Sequence, residues 1–267
     1  MIPAIAITAP AGPDGAPLLV LGPSLGTSTI LWSDVIPSLA ARWRVIAWDL
    51  PGHGASPGAT EPFTVAELAD AVARRIQELG GGPALYAGVS LGGATGLELC
   101  LRHPRLVRAA AVVASGAQLG DPASWAERAA QVRAQSTSSL ITASAGRWFA
   151  PESIARRPEL SGRLLHALRE ADDESYALCC EALAAYDVRD RLGKIQVPVL
   201  AAWGEFDAVA PESKSAEVAA GVRDGRALRI ADAAHLPPAE QPEAVADALL
   251  EFFSEIERRD EDATTTG

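Results

Sequence analysis

Short apolar runs alternate with amphipathic stretches along the first part of the chain. Continuous apolar runs predict buried strands at residues 18–22, 44–49, 83–87 and 109–114. Apolar residues at helical spacing predict helices at residues 31–42, 64–79 and 90–103. Thr64 and Glu67 match a capping box at the start of the second helix. Because alternating strands and helices build a parallel sheet covered on both faces, this half is predicted to be an α/β domain.

The alternation stops between residues 119 and 192 and then resumes. The interrupting segment has helical spacing and no clear strand, which predicts a helical cap inserted into the sheet domain. Beyond it, strands are predicted at 197–203 and 227–230, and helices at 213–220 and 242–256. The predicted fold class is therefore a mostly parallel, doubly wound α/β sheet with an inserted helical cap.

The predicted division of the chain follows from this pattern. The core comprises residues 1–118 and 193–257, and the cap comprises residues 119–192. Residues 4–8 are predicted to form an edge strand at the start of the core. Residues 258–267 are charged and rich in threonine, which predicts a disordered tail.

Charge and cysteine content narrow the classes of partner. The chain of 267 residues has a formal net charge of −11, which repels nucleic acid and anionic membranes. It has no apolar run of the roughly 18 residues that a membrane span needs. Cys100, Cys179 and Cys180 have spacings that suit neither a zinc site nor a disulfide framework. Free thiols in a reducing cytoplasm are the expectation.

The strongest chemical signal is Gly-Val-Ser-Leu-Gly at residues 88–92, between a predicted strand and a predicted helix. A serine in such a tight strand-to-helix turn has a strained backbone and an exposed hydroxyl. Its position at a helix N-terminus also favours developing negative charge. Ser90 is therefore the predicted nucleophile, and the alternative is a solvated serine in an ordinary glycine-rich turn.

A serine nucleophile needs a general base and an acid that orients the base. His235 follows the last predicted strand and is the predicted base. The acid is expected after the preceding strand, where Asp207 is preferred and Glu205 is the alternative. His53, in the turn after the second core strand, is predicted to hold its loop.

An oxyanion hole needs two backbone N–H donors. The first predicted donor is the amide of Leu91, directly after the nucleophile. The second is the amide of Leu25, in the loop after the first core strand. The alternative interpretation of that loop is a simple turn.

From about residue 18 to residue 253, the chain resembles the α/β-hydrolase superfamily. The general marks are the turn at 88–92, Asp-Leu-Pro-Gly-His-Gly-Ala-Ser at 49–56, and Gly-x-x-Asp at 204–207. A narrower resemblance is to 3-oxoadipate enol-lactonases. It rests on Ser-Leu-Gly-Thr at 24–27 and on three cap motifs that lie at residues 147–149, 176–183 and 187–190.

The resemblance implies a serine hydrolase that opens the enol-lactone 4,5-dihydro-5-oxofuran-2-acetate to 3-oxoadipate, in protocatechuate and catechol breakdown. It implies a carboxylated lactone as the small-molecule partner and neither a metal nor an organic cofactor. Arg147 is expected to bind the substrate carboxylate, and Trp148 to form an apolar wall. The alternative is a surface ion pair for Arg147 and cap packing for Trp148.

Two other functions remain open at the level of the sequence. A carboxylesterase or a cofactor-free perhydrolase would use the same triad. A non-enzymatic ligand receptor on the same scaffold is more remote. The resemblance also names a candidate partner, since some related lactonases are fused to a carboxymuconolactone decarboxylase, and residues 258–267 resemble a linker.

Overall fold

A parallel sheet forms the centre of the protein in the computed structural model, which describes residues 1–80 and 82–265. The described strands lie in the order β2-β1-β3-β4-β5-β6, and each pairs in parallel with its neighbour. Their bounds are β1 Leu18–Gly22, β2 Arg44–Ala47, β3 Ala84–Val89, β4 Val107–Val113, β5 Val199–Gly204 and β6 Gly225–Ile230. The parallel sheet predicted from the alternating pattern is confirmed.

Helices cover the sheet and build the insertion. Those of the core are α1 Ile36–Ala40, α2 Val65–Glu78, α3 Leu91–Arg102, α9 Glu212–Gly221, α10 Pro237–Glu240 and α11 Pro242–Thr265. Those between β4 and β5 are α4 Pro122–Gln135, α5 Ile141–Trp148, α6 Ser153–Arg156, α7 Pro158–Glu170 and α8 Asp173–Ala184. Short 3₁₀ turns lie at Thr29–Trp32, Thr137–Leu140 and Arg189–Lys194. None of the described helices is long and apolar enough to cross a membrane.

The strands at the centre of the sheet are buried on both faces, which explains their continuous apolar runs. Every residue of β1 and β3 is buried. The capping box of α2 is present, because the Glu67 amide donates to Thr64 Oγ1 and the Thr64 amide donates to the Glu67 carboxylate. Since the strands are parallel, the loops after β1, β3, β5 and β6 gather at the carboxyl edge of the sheet.

Two local predictions near the N-terminus are wrong. Residues 4–8 form no strand, and isolated antiparallel bridges join Ile7 to Trp48 and Ala11 to Val45 instead. The helix predicted at 31–42 is broken into a 3₁₀ turn and the short α1. Pro37 explains the break, because its ring would clash with the carbonyl of Ser33 in a continuous α-helix.

The prediction of a disordered tail is wrong for residues 258–265, because α11 continues to Thr265. Ion pairs stabilise this extension: Arg259 contacts Asp224 at 3.1 Å and Glu255 at 2.6 Å. Arg108 contacts Asp260 at 2.7 Å. The charged run therefore extends a helix whose side chains pair with the core, and residues 266–267 lie outside the described residues.

Candidate active site

Ser90 lies at the turn between β3 and α3 with φ 54° and ψ −116°, a conformation that is strained for a residue with a side chain. A Cβ on Gly88 would overlap the Gly92 carbonyl, and one on Gly92 would lie 2.6 Å from the Pro23 carbonyl oxygen. Glycine is therefore required on both sides of the serine. The turn has the geometry that the sequence predicts.

Backbone hydrogen bonds keep this turn in place. The Ser90 amide donates to the Val113 carbonyl at 2.9 Å. The Ser90 carbonyl accepts from Ser115 Oγ at 2.7 Å and from the Ala94 amide at 2.9 Å. With its main chain fixed to β4 and α3, Ser90 lines a cavity that also contains His235.

His235 lies beside Asp207 at the carboxyl edge of the sheet. Its Nδ1 is 3.0 Å from Asp207 Oδ2, and both side chains are buried. Asp207 Oδ1 also accepts the amides of Val209 at 2.8 Å and Ala210 at 3.0 Å. These bonds fix the carboxylate in the loop after β5 and direct it at His235.

The environment of Asp207 favours its ionised form. Burial raises the pKa of this carboxyl, but His235 and the two backbone N–H donors outweigh burial and bring the pKa below its ordinary value. Glu205, the alternative acid, binds Arg229 at 2.9 Å and the Asp232 amide at 3.2 Å. The geometry therefore pairs His235 with Asp207 rather than with Glu205.

The two amides predicted for an oxyanion hole belong to Leu91, which follows Ser90 in the chain, and to Leu25. Leu91 is the first residue of α3, and Leu25 lines the same cavity as Ser90. The Gly92 amide donates to the Pro23 carbonyl at 2.9 Å, which joins the Leu25 loop to the serine turn. Thr27 Oγ1 accepts the Ser24 amide at 3.1 Å within that loop.

His53 hydrogen-bonds the loop that contains Leu25. Its Nε2 accepts the Gly26 amide at 3.2 Å, and its Nδ1 donates to the Pro51 carbonyl at 2.8 Å. This pattern requires the neutral ring with its proton on Nδ1. Complete burial lowers the pKa of His53 to about 4. The neutral His53 ring therefore fixes this loop through hydrogen bonds, as its position in the turn predicts.

His53 should make the protein less stable in mild acid. The unfolded chain binds a proton near pH 6.5, whereas the folded ring binds one only near pH 4. The free energy of unfolding therefore falls as pH drops between these values, by about 3 kcal/mol at 1.36 kcal/mol per pKa unit. A His53→Gln variant should lack this loss in urea denaturation at pH 7, 5.5 and 4.5. Equal pH dependence in both proteins would contradict the assignment.

The cavity above Ser90 has a volume of about 250 Å³, which is below the usual range for ligand pockets. Arg147 and Trp148, at the end of α5, line this cavity. Burial lowers the pKa of Arg147, and the charge of Arg128 lowers it further. Neither arginine forms an ion pair with any residue that the structure describes; their neighbours in the cavity are each other, Trp125 and Tyr176.

Arg128 and Trp125 of α4 also line the cavity. The sequence pattern did not identify either of them as a site residue. The Arg128 guanidinium lies over the Trp125 ring, 5.0 Å from its centroid. Their i, i+3 spacing on a helix was the available signal. The cavity thus combines a serine, a histidine, aromatic walls and two cations that form no ion pair with the described residues. Asp121 also lines it, but its carboxylate accepts from the Ser124 amide and hydroxyl. Among the described residues, no group of three or more His, Cys, Asp or Glu side chains is placed to hold a metal ion.

A family model described as alpha/beta hydrolase fold matches residues 17–242. The chain belongs to the α/β-hydrolase family. Over 241 residues, this hydrolase is 33% identical to 3-oxoadipate enol-lactonase 2 of Acinetobacter baylyi. The alignment covers 89% of the hydrolase and 90% of that relative. The resemblance seen in the sequence is therefore confirmed at the level of the family.

Two further comparisons show other hydrolases to which this chain is similar. The crystal structure of the enol-lactonase from Burkholderia xenovorans LB400 has a TM-score of 0.90 and 29% identity, covering 94% of this hydrolase and 96% of that chain. A pimeloyl-[acyl-carrier protein] methyl ester esterase of Neisseria meningitidis is 32% identical over 251 residues, with 91% of the hydrolase and 79% of that relative covered. Similar proteins thus include both lactonases and esterases.

Proposed function

We propose that this hydrolase opens 3-oxoadipate enol-lactone to 3-oxoadipate. The observation that carries the proposal is a pair of cations, Arg128 and Arg147, that line a small cavity with Ser90 and form no ion pair with the residues that the structure describes. Both cations are half-buried, so an anion that binds between them is attracted more strongly than it would be in water, and the enol-lactone supplies a carboxylate on a small ring. Relatives named 3-oxoadipate enol-lactonases support the same assignment.

Ring opening begins with attack of Ser90 Oγ on the lactone carbonyl carbon, while His235 Nε2 accepts the hydroxyl proton. Asp207 holds the Nδ1 proton and stabilises the imidazolium that forms. The amides of Leu25 and Leu91 donate to the developing oxyanion. These donors act on charge that exists only in the transition state and the tetrahedral intermediate, so they accelerate the reaction.

Collapse of the tetrahedral intermediate breaks the ring C–O bond and forms an enolate that stays attached to the acyl chain. The His235 imidazolium donates the proton that it took from Ser90 to this enolate, which gives the ketone and returns His235 to its neutral form. An enolate leaves more readily than an ordinary alkoxide because its negative charge is delocalised. The acyl chain remains on Ser90. A water molecule that is deprotonated by His235 then attacks the acyl carbon, and Ser90 recovers its proton.

The substrate carboxylate binds Arg147 in this proposal, with Arg128 contributing to the same positive field. Trp148 is only 6% exposed and forms an apolar wall next to Arg147. Water exclusion by Trp125 and Trp148 strengthens the attraction between carboxylate and guanidinium. The contact between Arg147 and the substrate carboxylate, at the far end of the substrate, therefore positions the ring carbonyl at Ser90.

Ester hydrolysis is the second candidate, since one relative is a methyl ester esterase and the triad fits both reactions. The cavity of about 250 Å³ favours a compact lactone over a long acyl chain. Purified protein should remove the ultraviolet absorbance of the enol-lactone with a kcat/KM well above that for monomethyl pimelate. Faster turnover of the methyl ester would reject the lactonase assignment.

Replacement of Arg147 by alanine should weaken reaction only with carboxylated substrates. Two matched probes separate charge from chemistry: the p-nitrophenyl monoester of adipate and p-nitrophenyl hexanoate, which have equal chain length. Loss of a charge-assisted hydrogen bond should lower kcat/KM for the adipate ester by about 10- to 100-fold and leave the hexanoate value nearly unchanged. The exposed Arg163 of α7 gives a matched control as Arg163→Ala. An equal loss on both esters would contradict the anchor role.

A further inference from the structure

A buried carboxylate beside the site has no part in the chemistry described so far. Glu240, at the end of α10, is 5% exposed and forms no ion pair with the residues that the structure describes. A buried carboxylate without a cation must obtain its stabilisation from hydrogen bonds. Glu240 therefore depends on the donors around it.

Those donors are backbone amides from two separate parts of the chain. Glu240 Oε2 accepts the amides of Ala234 at 2.8 Å and Leu236 at 3.3 Å, the two residues that flank His235. Oε1 accepts the amide of Ala150 at 2.6 Å. Ala150 lies in the insertion, two residues after Trp148 at the end of α5. The Glu240 carboxylate thus hydrogen-bonds both the loop that contains His235 and the segment that follows Arg147.

Other contacts run in parallel with this bridge. The Leu236 amide also lies 3.2 Å from the Trp148 carbonyl. Ser153 at the start of α6 hydrogen-bonds the same carboxylate. Burial raises the pKa of Glu240 above its ordinary value, and the amides of Ala150 and Ala234 offset only part of that rise. The contacts show a junction between the core and the insertion in which three main-chain amides and the Ser153 side chain bind one carboxylate.

We propose that Glu240 is a positioning residue that holds His235 and the Arg147–Trp148 segment in one fixed frame. Its Oε2 side keeps His235 oriented for proton transfer, and its Oε1 side keeps the end of α5 at a set distance from Ser90. Catalysis is sensitive to such placement, since an error of about 1 Å can cost about 100-fold in rate. The Oε1 part of the proposal rests on the proposed function of Arg147, whereas the Oε2 part does not.

Glutamine and alanine should separate the two halves of the bridge. Glutamine has one acceptor oxygen and one NH₂ group, so it satisfies only one side. The oxygen should remain with Ala234 and Leu236, which offer two donors, and the NH₂ should face the Ala150 amide and lose that bond. Alanine removes both halves and leaves all three amides without the carboxylate.

The test uses the full chain and the two matched p-nitrophenyl esters, with kcat normalised to active sites titrated by a fluorophosphonate. Glu240→Gln should lower the preference for the adipate ester over the hexanoate ester by about threefold or more, with kcat on hexanoate nearly unchanged. Glu240→Ala should also lower kcat on hexanoate by about tenfold or more. Glu243→Gln, three residues along and exposed, is the matched control and should change neither quantity.

A double-mutant cycle identifies the route of the effect. In an Arg147→Ala background, Glu240→Gln should no longer change the ester preference, because the anchor it positions is gone. Wild-type preference in Glu240→Gln, or additive effects in the cycle, would overturn the Oε1 part. Wild-type kcat on hexanoate in Glu240→Ala would overturn the Oε2 part.

Folding and function are kept apart by the choice of variants and probes. If Glu240→Ala does not fold, Ser153→Ala removes one donor and leaves the carboxylate in place. It should shift the ester preference in the same direction as Glu240→Gln, and wild-type preference would count against the bridge. Failure of enol-lactone turnover by the wild-type protein would reject the proposed substrate alone, since both esters test Glu240 without it.

Discussion

Replacement of Ser90 by alanine is expected to lower kcat by about 10⁶-fold on the enol-lactone and on p-nitrophenyl hexanoate alike. The variant loses the only atom that forms the acyl-enzyme bond, so every substrate of the triad is affected. Alanine is smaller than serine and has the same Cβ, so the variant adds no strain to the φ of 54° that Ser90 already adopts. The fold should therefore survive and the reaction should not.

Steady-state kinetics and intact mass measure this effect together. Wild-type protein should gain the mass of one phosphonyl group after treatment with a fluorophosphonate, and Ser90→Ala should gain none. Ser138→Ala, at an exposed position in the 3₁₀ turn Thr137–Leu140, serves as the matched control and should react like the wild type. Near-wild-type turnover by Ser90→Ala would reject the serine mechanism.

Features encoded within a few neighbouring residues could be predicted from the sequence. The turn at 88–92 is one, because its glycines, its serine and the adjoining strand and helix are contiguous. The capping box of α2 is another, since both partners lie within one helical turn. The continuous apolar strands were equally clear, because strands buried on both faces need apolar residues at every position.

Features that depend on distant partners could not be predicted in this way. The extension of α11 to Thr265 is stabilised by pairs such as Arg259 with Asp224 and Arg108 with Asp260, which sequence distance conceals. The role of Arg128 at the cavity depends on how α4 packs on α8. The position of Glu240 depends on three amides from two segments. Charge and helical spacing alone are equally typical of solvated surfaces.

The acid of the triad lies between these two cases. The loop after β5 contains Glu205 and Asp207, and its local sequence allows either carboxylate to reach His235. The structure distinguishes them through tertiary contacts. Glu205 bends outward to Arg229, whereas Asp207 is fixed by the Val209 and Ala210 amides and faces His235.

This difference predicts that Asp207→Asn lowers kcat by about 10⁴-fold. The asparagine amide can keep the geometry and still donate its NH₂ toward Nδ1 of His235. That contact favours the tautomer with the proton on Nε2, which cannot accept the proton of Ser90. The loss should appear in kcat on the enol-lactone and on both p-nitrophenyl esters, since the base serves every substrate.

Glu205→Gln is the matched control, because it makes the same acid-to-amide change two residues earlier in the loop. It removes an exposed ion pair with Arg229, and such pairs contribute at most about 1 kcal/mol to stability. Turnover by Glu205→Gln should therefore stay close to that of the wild type, while Asp207→Asn stays folded by circular dichroism but nearly inactive. A large loss in Glu205→Gln with little loss in Asp207→Asn would assign the acid to Glu205. Because the two carboxylates share one loop, this comparison separates orientation of His235 from the general effect of removing a negative charge near the site.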